Sequence, residues 1–343
     1  MKEILESLKS DALLITKKED VFYHSGFNGS FGILLATKNK KYLITDPRYS
    51  HFKNKNIETI ILTEAKKDIG NLVKKTKIES VAFQATDLKY ESYWNLKKLF
   101  KPCKFIKDKS FISNLREIKT AQEIKKLQKA QEINERTLND ALPYLKEGIS
   151  EQEFANIIKI NAFVNGASGF SFEPIVAFGK NSANIHHQPS SKTLSKNDIV
   201  LIDMGVSYEN YQSDMSRTFL PKKSTQQMQN DYKKVLNSFQ TGIKNAMHGI
   251  STKKLDELSR KELEPDNFNH ALGHGIGLET HELPFFSKNS SKKLIKNMVI
   301  TIEPGLYRTN QYGIRIEDAV IVGDKSGKSL TNFPSDISQV IWG

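Results

Sequence analysis

Two apolar segments in the second half of the chain each carry a pair of carboxylates, and their pattern predicts two β-hairpins. In the first, residues 199–202 and 217–220 form the strands, and the turn lies around Tyr208 and the following glutamate. If the chain folds back midway between Asp203 and Asp214, these residues face each other on one side of the sheet, about 5 Å apart. Two buried like charges at that distance need a proton or a cation between them.

The same arrangement recurs nearer the C-terminus. Glu303 and Glu317 are equidistant from Asn310, so a hairpin that turns at residues 309–311 sets the two carboxylates side by side. Pro304 predicts a bulge or a strand end directly after the first of them. The prediction depends on this register, because a slip of one residue would turn one partner to the other face.

The remaining pattern predicts an α/β region followed by helices that pack on the hairpins. In the first 114 residues, apolar runs that predict strands alternate with amphipathic stretches that predict helices. The predicted strands are 12–15, 31–35, 42–44, 57–62 and 80–83, and the predicted helices are 66–75 and 89–100.

Further along the chain, apolar residues from Ile118 to Leu145 recur at helical spacing. Ser150, with Glu153 three residues later, is typical of a capping box that begins a helix reaching about Val164. Thr225 begins another predicted helix. We therefore expect an α+β layer in this half of the chain.

Between the two hairpins, residues 270–284 contain three histidines among glycines, namely His270, His274 and His281. Four carboxylates and one imidazole form an oxygen-rich ligand set that suits manganese, cobalt or zinc. This set is too large for a single tetrahedral zinc ion, and two metal ions that share bridging carboxylates fit it better. The glycines do not match the dinucleotide fingerprint, and we interpret them as points of close backbone approach.

The candidate ligands follow one another in the order Asp203, Asp214, His274, Glu303, Glu317. This order resembles that of the metallopeptidases with the pita-bread fold, and within that family the chain resembles the Xaa-Pro aminopeptidase and prolidase branch. Residues 22–35 and 45–52 are similar to the N-terminal domain of that branch. The resemblance implies an N-terminal α/β, creatinase-like domain over residues 1–114 and a pita-bread catalytic domain over residues 115–343.

The resemblance also implies a role for each candidate ligand. Asp203 would chelate the first metal ion, and Asp214 and Glu317 would bridge both. His274 and Glu303 would complete the shell of the second ion. Glu303 would also carry a proton from water to the leaving nitrogen, with purely structural ligation as the alternative.

Four further residues are expected to bind substrate. His186 would position it, with the neighbouring His187 as the alternative. His281 would donate to the oxyanion of the intermediate, and His270 would contact the prolyl residue. Arg315 lies two residues before Glu317 on the same strand face, and either pairs with the carboxylates or fixes the carboxylate of the substrate.

These roles imply a metallo-exopeptidase that hydrolyses the Xaa-Pro bond of proline-containing peptides, either as an aminopeptidase or as a dipeptidase. Two divalent ions per chain are expected, with Mn²⁺ first and Co²⁺ or Zn²⁺ as alternatives. A homodimer is implied. The alternative functions are a methionine aminopeptidase and a non-catalytic pita-bread module that binds protein or RNA.

The composition of the chain argues against nucleic-acid and membrane partners. The net charge of +12 suggests nucleic-acid binding as one function. No arginine-rich arm or aromatic platform accompanies this charge, so we interpret the lysines as a solvated basic surface. No apolar run approaches the roughly 20 residues needed to span a bilayer, and no secretory signal is evident. We expect a cytoplasmic protein without nucleic-acid or membrane partners. The single cysteine, Cys103, excludes an intrachain disulfide and a cysteine-based metal site.

Overall fold

The computed structural model describes residues 2–108, 111–263, 267–286 and 290–343. The chain divides into two compact units, Met1–Leu115 and Arg116–Gly343. Within the described residues, no helix combines the length and the apolar character needed to cross a bilayer.

The first unit is built from one mixed sheet and helices. Its strands are β1 (Ala12–Ile15), β2 (Ile33–Thr37), β3 (Lys41–Thr45), β4 (Ile57–Ile61), β5 (Ser80–Gln84) and β6 (Lys104–Asp108). Its helices are α1 (Lys2–Leu8), α2 (Lys18–Ser25), α3 (Ala65–Thr76), α4 (Tyr90–Leu99) and α5 (Phe111–Asn114). The strand order is β4-β3-β2-β1-β5-β6, so β1 lies inside the sheet and is buried along its whole length.

The predicted strands and helices of this unit all occur, with shifts of one or two residues at their ends. Sequence patterning missed β6, α1, α2 and α5. The β6 sequence KFIKD has only two apolar residues, which are adjacent and do not alternate with the charged ones. The α2 helix has only three buried residues, Asp20, Val21 and Ser25, two of them polar. Elements this short give a weak periodic signal.

The helices of the second unit are α6 (Ala121–Ala141), α7 (Glu151–Val164), α8 (Gln226–Asn245) and α9 (Thr252–Arg260). Thr120 and Ser150 each form a complete capping box, and Thr225 and Ser251 also cap their helices with side-chain oxygens. The predicted starts at Ser150 and Thr225 are therefore confirmed. The prediction that Ile118 belongs to the buried face of the first helix is wrong. The helix begins only after its cap at Thr120, and Ile118 is 44% exposed.

The strands of the second unit form one large sheet and two small ones. They are β7 (Gly169–Phe170), β8 (Ile175–Phe178), β9 (Val200–Met204), β10 (Val206–Tyr208), β11 (Tyr211–Gln212), β12 (Met215–Pro221), β13 (His274–Gly275), β14 (Glu282–Phe285), β15 (Val299–Ile302), β16 (Gly305–Arg308), β17 (Tyr312–Arg315), β18 (Glu317–Ile321), β19 (Lys328–Ser329) and β20 (Ile341–Trp342). The main path of the large sheet is β14-β13-β15-β18-β12-β9-β8. Buried side chains of the helices, such as Phe154 and Tyr232, share one core with sheet residues such as Ile202 and Ile300.

The first carboxylate hairpin forms, but its register differs from the prediction. Asp203 lies opposite Ser216, so the direct pairing of Asp203 with Asp214 is wrong. The chain turns at Glu209 and Asn210, whose φ angles are 47° and 69°, one position later than predicted. This moves the pairing by two residues, and a shift of two keeps side chains on the same face of a strand.

The second hairpin has the predicted register. Gly305 pairs with Arg315, and Ile302 pairs with Asp318, so the same alignment continues on both sides of Glu303 and Glu317. A strand end at Pro304 is confirmed, because β15 stops before it and β16 begins in a separate two-stranded sheet.

Candidate metal centre

The four candidate carboxylates lie on neighbouring strands in the middle of the large sheet. Asp203 is in β9, Asp214 directly precedes β12, Glu317 begins β18, and Glu303 directly follows β15. These strands stand in the order β15-β18-β12-β9. The sheet therefore brings together four acidic residues that are distant in sequence, and the first three are at least nine-tenths buried.

His274 reaches this cluster from β13, which pairs with β15. Its Nε2 lies 3.7 Å from Oδ2 of Asp214 and 3.6 Å from Oε1 of Glu303. One ligand atom from each of Asp214, His274 and Glu317 lies within 4.8 Å of the others. This spacing is suitable for side chains that share a metal ion.

The glycines around His274 allow close backbone approach, as predicted. A Cβ at Gly273 would overlap the carbonyl of Thr301, and a Cβ at Gly275 would overlap the carbonyl of Leu283. The imidazole is further held by a contact between Nδ1 and the carbonyl oxygen of Gly275, at 3.1 Å.

We expect Gly275→Ala to destabilise the second unit by about 1–3 kcal/mol, because the added methyl group forces β13 away from β14. Gly70→Ala is the matched control. Gly70 lies inside α3 with nothing within 4 Å of an added Cβ, so this change should stabilise its unit by about 0.5–1 kcal/mol. Denaturant unfolding of both variants measures the difference, and equal effects would contradict the packing explanation.

The carboxylates repel one another strongly. Burial and the charges of Asp203 and Glu303 hold the pKa of Asp214 well above its usual value. Burial and the charge of Asp214 do the same to the pKa of Glu317. Burial raises the pKa of Glu303 to about 8, although Arg315 opposes this shift. Divalent cations would relieve the repulsion.

One oxygen of the cluster has room for a further partner. Oδ1 of Asp203 is buried and has no hydrogen-bond partner among the described residues, whereas its Oδ2 accepts from Arg315 at 2.6 Å. A buried carboxylate oxygen without a partner is costly. The donor set, its spacing and this oxygen together fit divalent metal ions bound through oxygen and imidazole ligands.

Arg315 is buried and holds two of the carboxylates in place, Asp203 directly and Glu317 through Ser216. Besides Asp203, it donates to the hydroxyl oxygens of Ser216 at 2.8 Å and Tyr307 at 2.9 Å, and Ser216 in turn donates to Glu317 at 2.7 Å. Of the two alternatives for Arg315, the structure shows pairing with a carboxylate. Binding of a substrate carboxylate by Arg315 stays a prediction.

Tyr307 was missed by the sequence analysis. It lies in β16, beyond the strand end at Pro304, so no strand periodicity connects it with Glu303. Its hydroxyl group joins Arg315 to His270, whose Nε2 is 2.9 Å away. The other ring nitrogen of His270 lies 3.7 Å from Glu303. Burial, reinforced by the charge of Arg315, lowers the pKa of His270 to about 3, so its imidazole is neutral.

Two further histidines of the predicted site are His281 and His186. The ring of His281 lies 4.2 Å from that of His274, centroid to centroid. The charge of His186 contributes to lowering the pKa of both His270 and His281, after desolvation in each case. The side chain of His186 itself is exposed. His187 instead contacts Glu151, at 2.8 Å.

A buried ionic cluster supports the segment of His281 and was also missed. Lys119 donates to Glu282 at 2.8 Å, and Arg116 pairs with Glu279 and Glu282. Lys119, Arg116 and Glu282 are each at most 4% exposed. Charged residues are rarely buried unless paired, so the sequence gives no warning that these meet.

Comparison with known proteins gives two family matches. Residues 125–324 match the Metallopeptidase family M24, and residues 1–118 match the Creatinase/Prolidase N-terminal domain. The five candidate ligands all lie inside the first of these matches.

Individual relatives align over nearly the whole chain. A curated Xaa-Pro dipeptidase of Pyrococcus horikoshii is 33% identical over 342 residues, which cover 98% of this chain and 96% of the relative. The solved structure of the Xaa-Pro dipeptidase from Bacillus anthracis superimposes with a TM-score of 0.95 at 30% identity, covering 99% of this chain and 98% of that one. An X-Pro aminopeptidase from Thermotoga maritima superimposes with a TM-score of 0.91 at 30% identity, covering 98% of each chain.

Proposed function

Because the chain belongs to metallopeptidase family M24, we propose that it hydrolyses the Xaa-Pro bond of peptides, as an Xaa-Pro aminopeptidase or an Xaa-Pro dipeptidase. The observation that carries the proposal is the meeting of four buried or half-buried carboxylates and one imidazole at a single point of the large sheet. The relatives named above are described as acting on Xaa-Pro substrates, and both subtypes occur among them.

Asp203, Asp214, His274, Glu303 and Glu317 would hold two divalent ions, for which we propose Mn²⁺, with Co²⁺ or Zn²⁺ as alternatives. When bound, the ions supply positive charge that polarises the scissile carbonyl group and lowers the pKa of a water molecule. Asp214 and Glu317 lie between the other ligands and would bridge the ions.

Glu303 is the residue that moves the proton. Its carboxylate lies between the imidazoles of His274 and His270, at 3.6 Å and 3.7 Å, and its side chain is 19% exposed. In this position it takes a proton from the attacking water and returns it to the nitrogen that leaves when the C–N bond breaks. His281 donates a hydrogen bond to the carbonyl oxygen as that oxygen becomes negative.

Proline determines which residues hold the substrate. An Xaa-Pro peptide bond has no N–H group, so such a substrate cannot bind through a regular strand ladder. His270, fixed by Tyr307 and kept neutral, presents an uncharged ring to the prolyl residue, and the exposed His186 binds the substrate as a second partner. These two residues orient the bond over the carboxylate cluster.

The test is hydrolysis of a small peptide panel by protein loaded with Mn²⁺. We expect cleavage of Ala-Pro, of Ala-Pro-Ala, or of both, loss of cleavage with a chelator, and recovery with added Mn²⁺. Ala-Pro alone indicates the dipeptidase. Release of Met from Met-Ala without cleavage of either proline peptide would identify a methionine aminopeptidase, and a metal-loaded protein that leaves every peptide intact would identify a non-catalytic module.

The resemblance that supports this function also supports a homodimer and a cytoplasmic location, which we propose together with it. Light scattering of the purified chain tests the first. The basic surface, at a net charge of +12, is interpreted as solvated rather than as a nucleic-acid or membrane interface.

A further inference from the structure

A single buried carboxylate anchors the segment that carries His186. This carboxylate belongs to Glu151, the first residue of α7, which is 0% exposed. The segment runs from the end of β8 through a 3₁₀ turn, Gly179–Ala183, to residue 190. It has no strand of its own, so its conformation depends on contacts with the surrounding structure.

Both oxygens of Glu151 are fully used by this segment. Oε1 accepts from the backbone N–H of Phe178 at 2.8 Å and from the side-chain amide of Asn181 at 2.9 Å. Oε2 accepts from the N–H of Ser190 at 3.0 Å and from its hydroxyl group at 2.6 Å. Both ends of the segment are therefore tied to one side chain.

The fifth polar contact of Glu151 is with His187, whose Nε2 lies 2.8 Å from Oε2. Although burial opposes it, hydrogen bonding from Ser190 and His187 keeps the pKa of Glu151 below its usual value, so the carboxylate is charged. The side chain of His187 is only 12% exposed, whereas its neighbour His186 is exposed. His187 thus points inward to Glu151, while His186 remains exposed.

The opposite side of the segment is packed against the hairpin of β16 and β17. The hydroxyl oxygen of Ser182 accepts from the N–H of Gly313 at 2.8 Å, and a Cβ at Gly313 would overlap the carbonyl of Ser182. The same hairpin carries Tyr307 and ends at Arg315. The segment is held between Glu151 on one side and the hairpin beside the carboxylate cluster on the other.

We propose that Glu151 and His187 are positioning residues for substrate binding, which act by holding His186 over the carboxylate cluster. This inference rests on the proposed function for its substrate, but the arrangement itself does not. Among the described contacts, neither residue touches the cluster, and in this arrangement His187 supports the segment that carries His186.

Glu151→Gln tests the proposal, since it keeps the size of the side chain and replaces one acceptor oxygen with a donor that faces Ser190 and His187. We expect kcat/KM for the proline peptide to fall by about tenfold or more, mainly through KM, while the metal content is unchanged. Glu153→Gln is the matched control. Glu153 lies in the same helical turn and bonds only with Ser150, so its loss should weaken the cap but leave KM as in the wild type.

Two further variants separate positioning from folding. His187→Leu should reproduce the effect of Glu151→Gln, and His187→Gln should restore most of the activity, because its amide can donate from the place of Nε2. In a His186→Ala background, Glu151→Gln should lower kcat/KM little further, because His186, the residue through which Glu151 acts, is already absent. Full additivity of the two changes would overturn the proposal. If Glu151→Gln does not fold, the His187 pair carries the same test.

Hydrogen exchange keeps this test independent of the proposed function. Residues 179–190 should exchange faster in Glu151→Gln than in the wild type and in Glu153→Gln. Unchanged exchange in this segment would overturn the positioning role, even in an active enzyme. Faster exchange in a protein that cleaves no Xaa-Pro peptide would support the positioning of His186 and reject only the substrate.

Discussion

Replacing Glu317 with glutamine should lower hydrolysis of Xaa-Pro peptides by a factor on the order of 10³ or more. Glu317 is 2% exposed and lies within the cluster of carboxylates. Unless a cation is present, its negative charge only adds to the repulsion among them. Glutamine keeps the shape and removes the charge. The metal-loaded variant, assayed on Ala-Pro and Ala-Pro-Ala, gives the measurement.

The same change should have the opposite effect on the metal-free protein. Without a cation, removing one of several repelling carboxylates should raise the free energy of unfolding of the second unit, by about 1 kcal/mol or more. Glu132→Gln, at an exposed residue of α6, is the control and should alter neither activity nor stability. A variant that is inactive and also less stable in chelator would indicate misfolding and contradict this explanation.

Replacing Arg217 with methionine should destabilise the second unit by about 3–5 kcal/mol. Arg217 is 1% exposed and donates to Asp318 at 2.9 Å. It also donates to four backbone carbonyl groups, those of Ser216, Glu317, Phe333 and Pro334. Methionine fills similar space but leaves the buried Asp318 carboxyl without its cation and the carbonyl groups without a donor.

The control for Arg217 is an exposed ion pair of the first unit. Arg48 pairs with Asp46 at 2.7 Å, and its side chain is 67% exposed, so Arg48→Met should change stability little. Urea unfolding of both variants gives the comparison. An equal loss at the two sites would contradict the assignment of the large effect to burial.

The sequence predicted the second hairpin in full because its turn is short and its two strands keep one alignment throughout. It misplaced the pairing in the first hairpin because a two-residue turn at Glu209 and Asn210 cannot be located from apolar runs that end several residues away. The carboxylates still meet, since a shift of two residues preserves the face.

Contacts that depend on tertiary structure could not be read from the chain. Arg315 pairs with Asp203 from a strand that is more than 100 residues away, and Glu151 reaches His187 across a segment without regular pattern. Charged residues in these pairs look like ordinary surface residues in the sequence, because no local period marks them. The four candidate carboxylates were visible because each interrupts or adjoins an apolar strand, whereas His274 was visible as one of three histidines among glycines.

We propose that five side chains from separate strands bind divalent ions together. The decisive test of this claim is the metal content per chain, measured by mass spectrometry after stripping, reloading with Mn²⁺ and desalting. We predict two ions per wild-type chain and fewer in His274→Ala and Glu317→Gln. A wild-type chain that retains no ion, or variants that retain as many as the wild type, would contradict the claim.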